Sequence, residues 1–166
     1  CASRSRTLAD NTDKMRCWGA NDRGQLGTGA TGTDVTAPQV VPSSGTFVNT
    51  EPSTIFGGGS TICTQNVTSG GTPTATLYCW GANDAGQAKP SDAAVGNNVV
   101  SPYKMPDDPT LGFTNGHGLY SPDIRYMAMS PSVSNGHACY GRYCWGGNSF
   151  GQLAQGDVNS RLVMSV

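Results

Sequence analysis

The stretch CWGANDRGQLG at residues 17–27 decides how this chain folds, because the chain repeats it twice more. CWGANDAGQ occupies residues 79–87, and CWGGNSFGQL occupies residues 144–153. The shared frame is C-W-G-x-N-x-x-G-Q, and its copies are 62 and 65 residues apart. Three copies at nearly constant spacing indicate a repeat architecture, in which each unit packs against its neighbours.

A second cysteine precedes each copy of the frame. In the third copy, Cys139 and Cys144 flank the segment YGRY. This segment predicts a tight hairpin, because Gly141 can adopt the positive φ that a type II′ turn requires. Facing positions on antiparallel strands lie within reach of a disulfide. We therefore pair Cys139 with Cys144.

Repeat equivalence extends this pairing to the other units. Six cysteines allow 15 connectivities, and the repeat narrows them by placing two further pairs 16 positions apart. The even count in a glycine-rich, weakly hydrophobic chain favours oxidised cysteines. In these two units the hairpin tip would carry a longer excursion, at residues 2–16 and 64–78. The two remaining predicted disulfides are Cys1–Cys17 and Cys63–Cys79.

The rest of the pattern predicts an all-β chain. No window shows an apolar stripe with helical period, and Gly or Pro interrupts almost every ten-residue stretch. Short strands, 23 glycines and one aromatic motif per unit are typical of a radial repeat such as a β-propeller. We expect the repeated Asn to fix the turn through side-chain to backbone hydrogen bonds, and the repeated Trp to fill the core between blades. These residues are Asn21, Asn83 and Asn148, and Trp18, Trp80 and Trp145.

The frame resembles the repeat of the regulator-of-chromosome-condensation family, especially its secreted, cysteine-bearing members. GHAC at residues 136–139 matches the element that precedes the hairpin in this family, and GGSTIC at 58–63 matches it with the His replaced. The resemblance covers nearly the whole chain. It implies β-propeller blades, each a four-stranded sheet, in a ring that usually has seven blades.

The predicted organisation is a single partial propeller domain over residues 1–166. Three repeats cannot close a seven-bladed ring, and the chain opens on Cys1 without a signal peptide. We therefore expect a mature or trimmed product, and a section of a longer chain is favoured over several copies that complete a ring. The predicted boundaries are repeat one at 1–35, repeat two at 36–100, repeat three at 101–158 and the start of a next blade at 159–166.

Little in the sequence points to catalysis, a cofactor or a metal. His117 and His137 are the only histidines, and no acidic cluster or C-x₂-C pair accompanies them. We expect His137 to make a structural hydrogen bond between blades and His117 to lie in a solvated loop. Asn66 begins the sequon Asn-Val-Thr in the predicted hairpin tip, which makes it a candidate for glycosylation.

Charge and composition limit the function classes. The net charge of −1 argues against nucleic acid and anionic membranes as partners. No apolar run reaches the roughly 18 residues that a membrane-spanning helix needs. We expect a non-enzymatic extracellular scaffold or adhesion module, part of a larger cell-surface or fibre-like protein. Its partners would be other protein chains, in a homo- or hetero-oligomer, or the rest of its own propeller.

The predicted contact surfaces are the two hairpin excursions and the loop at 106–123, because loops on a rigid framework carry most binding functions. A secreted protein-binding inhibitor or receptor of the same propeller type is the alternative. Nucleotide exchange on a small GTPase is a further alternative that the family resemblance raises. The near-neutral charge and the predicted disulfides count against it.

Overall fold

The structure, a computed structural model, describes residues 1–3, 14–49, 52–68, 74–90, 95–106, 127–132 and 134–165. Within those ranges the chain forms eleven strands and no helix. The strands are β1 (Ala2–Ser3), β2 (Met15–Asn21), β3 (Gly32–Val40), β4 (Pro52–Gly58), β5 (Thr61–Thr68), β6 (Thr74–Gly81), β7 (Val99–Lys104), β8 (Met127–Met129), β9 (His137–Tyr140), β10 (Tyr143–Gly146) and β11 (Arg161–Ser165).

Three antiparallel sheets contain these strands in chain order. The first sheet is β1-β2-β3, the second is β4-β5-β6-β7, and the third is β8-β9-β10-β11. Every pairing is between strands that follow one another along the chain. This meander is the connectivity of a propeller blade. No helix that is long and apolar enough to cross a membrane occurs in the described ranges.

The sheets divide the chain differently from the predicted repeat boundaries. β3 runs across the boundary at residue 35, and β7 runs across the boundary at residue 100. β11, predicted as the start of a next blade, pairs with β10 as the last strand of the third sheet. The physical reason is the backbone register. The segment that follows each repeat turn folds back onto the Cys-Trp strand, as Gln39 opposite Cys17 and Tyr103 opposite Cys79 illustrate.

A glycine bulge follows the Trp in every sheet. The register shifts at Gly19, Gly81 and Gly146, and all three have positive φ, of 103°, 102° and 98°. This backbone conformation favours glycine because it strains residues that carry a Cβ. A Cβ would also collide with the carbonyl oxygen of Ser60 at Gly81 and of Gly136 at Gly146. The bulge turns the chain from the strand into the repeat turn.

Each sheet carries one disulfide. It links the strand that contains the Cys-Trp pair to the preceding strand or, in the first sheet, to Cys1 just before that strand. The bonds join Cys1 to Cys17, Cys63 to Cys79, and Cys139 to Cys144, which are the predicted pairs. In the second and third sheets the two cysteines face each other directly in the antiparallel register. Each bond therefore fixes the register of one hairpin.

The hairpin of the second sheet is longer than the sequence indicated. β5 and β6 pair from Thr61 opposite Gly81 to Thr68 opposite Thr74. Most of the predicted excursion at 64–78 is therefore paired strand, and its tip at 69–73 lies outside the described residues. Most of the excursion at 2–16 and of the loop at 106–123 also lies outside them.

Asn66 is part of this ladder, so its predicted place in a surface loop is wrong. Its side chain is 3% exposed, and Nδ2 donates a hydrogen bond to the Val48 carbonyl oxygen at 3.0 Å. The long ladder brings Asn66 opposite Thr76 and against the segment that follows the first sheet. An amide nitrogen that is buried and already donating cannot carry a glycan in this fold. Asn66 is therefore no longer a glycosylation candidate.

Two apolar clusters lie between the sheets. One joins the first and second sheets and includes Met15, Cys17 and Trp80. The other joins the second and third sheets and includes Cys63, Cys79 and Trp145. The core is thus built between neighbouring sheets, as in a propeller.

Candidate interaction surfaces

The junction between neighbouring sheets has the same anchor in both places where two sheets meet. The indole Nε1 of Trp80 donates a hydrogen bond to the Gln25 carbonyl oxygen at 3.0 Å. Trp145 makes the equivalent bond to the Gln87 carbonyl oxygen at 2.9 Å. Both indoles are 0% exposed. Each Trp therefore contributes buried apolar area and a satisfied polar group to the junction.

The carbonyl that accepts this bond belongs to the repeat turn, which the repeated Asn and Gln hold in shape. In each repeat the Asn Oδ1 accepts the backbone N–H five residues later, as predicted for the Asn residues. The Gln Oε1 accepts the backbone N–H two residues earlier. The Asn bonds join Asn21 to Leu26, Asn83 to Ala88 and Asn148 to Leu153, and the Gln bonds join Gln25 to Arg23, Gln87 to Ala85 and Gln152 to Phe150.

At the first junction, the close approach of the Trp80 indole to the neighbouring turn depends on a glycine. Gly27 has a φ of 68°, and a Cβ built there would lie 2.8 Å from Nε1 of Trp80. The indole therefore packs directly on the backbone of the neighbouring turn. The equivalent position is Lys89 in repeat two and Ala154 in repeat three.

Trp18 does not lie in a junction between the described sheets, so its predicted place between blades stays a prediction. Its side chain is 44% exposed, although it stands in the same frame position as Trp80. The described residues supply no repeat turn ahead of the first sheet for it to pack on. The first sheet thus presents an open face, which we call the head face, marked by Trp18.

The third sheet presents the opposite open face. Cys63 and Cys79 are 0% exposed because the third sheet covers them, whereas Cys139 and Cys144 are partly exposed. Ala128 lies opposite Cys139 and is exposed. We call this surface, formed by Ala128, the Cys139–Cys144 bond and the turn at 148–154, the tail face.

The tips of the repeat turns form a further surface. Arg23 and Asp84 occupy tips of neighbouring turns and form an ion pair at 3.2 Å. Both side chains are about a third exposed, so this pair contributes little stability, at most about 1 kcal/mol. In repeat three the tip carries Phe150, which is 86% exposed, and Val158 nearby in sequence is 62% exposed.

A shallow depression of about 430 Å³ lies on the second repeat. Asn97, Ser101 and Tyr103 contribute to its lining, and the Nζ atom of Lys89 lies 4.7 Å from the centroid of the Tyr103 ring. Neither Lys89 nor Tyr103 has a counterpart of the same type in the other repeats, where Gly27 and Gln39 or Ala154 and Ser165 stand.

Two buried polar groups lie close to the second junction. Burial raises the pKa of the Tyr140 hydroxyl to about 12, although a hydrogen bond from Gln65 Nε2 at 2.6 Å opposes this shift. His137 was predicted to make a hydrogen bond between blades. Its Nδ1 is buried and has no hydrogen-bond partner among the described residues. His117 lies outside them.

In the described part of the chain, no three His, Cys, Asp or Glu side chains group together. All six cysteines are disulfide-bonded. The polar side chains of the repeated motif hydrogen-bond to the backbone of their own turns, so their role is structural.

Comparison with known families identifies the repeat. Residues 17–64 match the model of the Regulator of chromosome condensation (RCC1) repeat. The match begins at Cys17 in β2 and ends at Thr64 in β5, so one sequence repeat spans parts of two sheets. This offset explains why repeat boundaries and sheet boundaries differ. No curated protein matches the chain.

Proposed function

We propose that this chain, which carries an RCC1 repeat and consists of β-propeller blades, is a non-enzymatic extracellular scaffold or adhesion module. It would form part of a larger cell-surface or fibre-like protein. Its partners are other protein chains or further blades of a propeller, with no nucleic acid and no membrane insertion.

One observation carries this proposal: the Trp-to-Gln-carbonyl anchor is used at both junctions and is left open at Trp18. A blade exposes apolar surface on each side until another blade covers it. The head face and the tail face are therefore surfaces that associate with further blades. The motif side chains stabilise turns and leave the loops and faces for binding, which is the usual division of labour in scaffolds.

The disulfides support the extracellular part of the proposal. Three bonds occur in 166 residues, and they account for all six cysteines. Structural disulfides persist in oxidising compartments and are rare where glutathione keeps thiols reduced. A chain with 36% hydrophobic residues gains much from such covalent links.

The test is to locate the protein in its native source and read its cysteine state there. Intact cells would be labelled with a membrane-impermeant amine reagent, and the culture medium would be collected separately. We expect the chain in the labelled or secreted fraction, with the peptide pairs 1–17, 63–79 and 139–144 disulfide-linked by non-reducing mass spectrometry. Recovery only from the cell interior, with free thiols, would refute the extracellular proposal.

A secreted protein-binding inhibitor or receptor is the second candidate, and Phe150 favours it. An aromatic side chain that is 86% exposed at a turn tip is the kind of residue that anchors protein interfaces. A photo-crosslinking residue at position 150 should capture a protein partner on the cell surface, and one at the exposed position 39 should not. Equal capture at both positions, or none at position 150, would count against this candidate.

A further inference from the structure

We propose that the shallow depression on the second repeat binds an acidic sugar residue, whose anionic group is held by the Lys89 ammonium. A sugar ligand goes beyond the protein partners proposed above. The second sheet has a described neighbour on both sides, so the depression does not depend on what lies beyond the first and third sheets. Its volume of about 430 Å³ falls within the range of small-molecule sites.

The Lys89 ammonium is held in a defined place. Asn83, the repeated Asn of this turn, accepts the Lys89 N–H at 2.7 Å through Oδ1 and donates to the Lys89 carbonyl oxygen at 3.3 Å through Nδ2. The Lys89 side chain reaches over the Tyr103 ring, whose centroid lies 4.7 Å from Nζ. Tyr103 lies opposite Cys79 in the ladder of β6 and β7, so the sheet positions the ring. An anion that binds this ammonium therefore meets a group that is already ordered.

The charge of Lys89 has no anionic partner among the described residues. The depression is lined by no Asp or Glu in this part of the chain. Asp84, in the same turn, forms its ion pair with Arg23. An ammonium group offers hydrogen-bond donors only, and its bonds to an anion are stronger than its bonds to a neutral group. The ligand that suits this position is therefore negatively charged.

The rest of the lining suits a ligand with several hydroxyl groups. The side chains of Asn97, Asn98 and Ser101 line the depression, and none of them hydrogen-bonds to a described residue. Amide and hydroxyl side chains both donate and accept hydrogen bonds, as the hydroxyl groups of a sugar do. Val99 and Pro102 add apolar surface against which the C–H groups of a sugar ring can pack. A sugar that carries an acidic group thus matches both the polar and the charged parts of the lining.

An extended peptide fits the same place less well. β7 is an edge strand of its sheet, and a peptide that adds to such an edge needs free backbone groups along it. The Val100 carbonyl oxygen already accepts the N–H of Gly29 from repeat one at 2.9 Å. Pro102, also in β7, has no N–H to donate. The edge is therefore interrupted at the depression, which favours a ligand that binds through side chains.

Titration of the purified protein with glucuronate, followed by calorimetry or ligand-observed NMR, tests the site. We expect glucuronate to bind, and both glucose and acetate to bind at least about tenfold more weakly, because glucose lacks the carboxylate and acetate lacks the hydroxyl groups. Added salt should weaken the binding of glucuronate, since it screens the attraction to the ammonium. Acetate that bound as tightly as glucuronate would indicate a simple anion site, and glucose that did so would show that the charge plays no part. Either result, or no binding of glucuronate, would overturn the proposal.

Substitutions in the depression locate the ligand. Lys89→Gln removes the charge and retains the backbone groups that bond to Asn83, and Tyr103→Gln introduces the residue that repeat one has there, Gln39. Each should reduce the affinity for glucuronate at least about tenfold, with an unchanged circular dichroism spectrum. Lys104→Gln is the matched control, because Lys104 is the next residue of β7, is exposed and lies on the other face of the strand. This variant should bind glucuronate like the wild type.

Equal losses in Lys89→Gln and Lys104→Gln would show that glucuronate responds to overall charge, and unchanged binding in Lys89→Gln would place the ligand elsewhere. Both results contradict the proposed site. A tri-aspartate peptide that competed with glucuronate and bound more tightly would show that the depression is a peptide site instead. None of these outcomes bears on the localisation experiment, so the extracellular proposal stands or falls separately.

Discussion

The second blade and the two outer blades have the same motif but different surroundings. The second blade is covered on both sides, so Trp80 and the Cys63–Cys79 bond are fully buried. The first blade leaves Trp18 open, and the third leaves the Cys139–Cys144 bond partly open. The difference teaches that the motif does not itself bury its aromatic and sulfur groups. The neighbouring blade buries them, as expected for repeats whose stability lies largely in the interfaces.

The strongest test of this comparison is to replace the equivalent Trp by Ala in two blades. Trp80→Ala should cost about 3–5 kcal/mol of unfolding free energy, because it leaves a cavity in the first junction and removes the bond to Gln25. Trp18→Ala should cost clearly less, since Trp18 is 44% exposed and lies in neither junction. Urea unfolding at low protein concentration measures both.

Trp145→Ala is the internal control for that pair, because Trp145 is buried in the second junction and should behave like Trp80. Equal costs for Trp18 and Trp80 would show that the indole stabilises its own blade rather than the junction.

Removing a disulfide should cost more stability in the blade where the bond closes the longer loop. The Cys63→Ala/Cys79→Ala pair removes a bond across a separation of 16 residues, and the chain-entropy model gives a loss of about 3 kcal/mol. The Cys139→Ala/Cys144→Ala pair removes a bond across 5 residues, with an expected loss of about 2 kcal/mol. Thermal or urea unfolding of the two double variants gives the ranking. A larger loss for the short hairpin would mean that native packing around the sulfurs, and not loop closure, dominates.

The second junction should also weaken in alkali. The folded pKa of Tyr140 is raised to about 12, whereas the unfolded chain loses this proton near pH 10. The folded state therefore binds more protons between these values, so stability is fully present below pH 10 and falls as the pH rises to 12. The total loss would be about 2–3 kcal/mol. Urea unfolding from pH 8 to 11.5 measures it, and Tyr140→Phe should remove this component of the pH dependence. An unchanged slope in that variant would place the titrating group elsewhere.

The sequence predicted the features that lie within one repeat. The all-β fold, the three disulfide pairs, the Asn-stabilised turns and the burial of Trp80 and Trp145 all follow from local spacing and repeat equivalence. The sequence did not predict features that depend on contacts between repeats. The exposure of Trp18 depends on whether another blade is present, and the burial of Asn66 depends on how far β5 and β6 continue to pair. No local pattern encodes either property.

The sheet boundaries were not predicted from the sequence, for a related reason. A repeat of the sequence begins in one sheet and ends in the next, so the spacing of the motif does not determine where a sheet begins. The segment around Pro38, in β3, could have started a new sheet or completed the old one. Gln39 pairs with Cys17, so the segment completes the first sheet. This pairing is a property of the three-dimensional structure and has no local sequence signal.

The smallest effect concerns one methyl group in the third repeat turn. Ala154 has a φ of 56°, and it stands where repeat one has Gly27. A residue with a Cβ is strained in this left-handed conformation, so Ala154→Gly should stabilise the protein by about 0.5–1 kcal/mol in urea unfolding. Gly24→Ala is the opposite control, because Gly24 has a φ of 75° and a Cβ there would lie 2.9 Å from Val100.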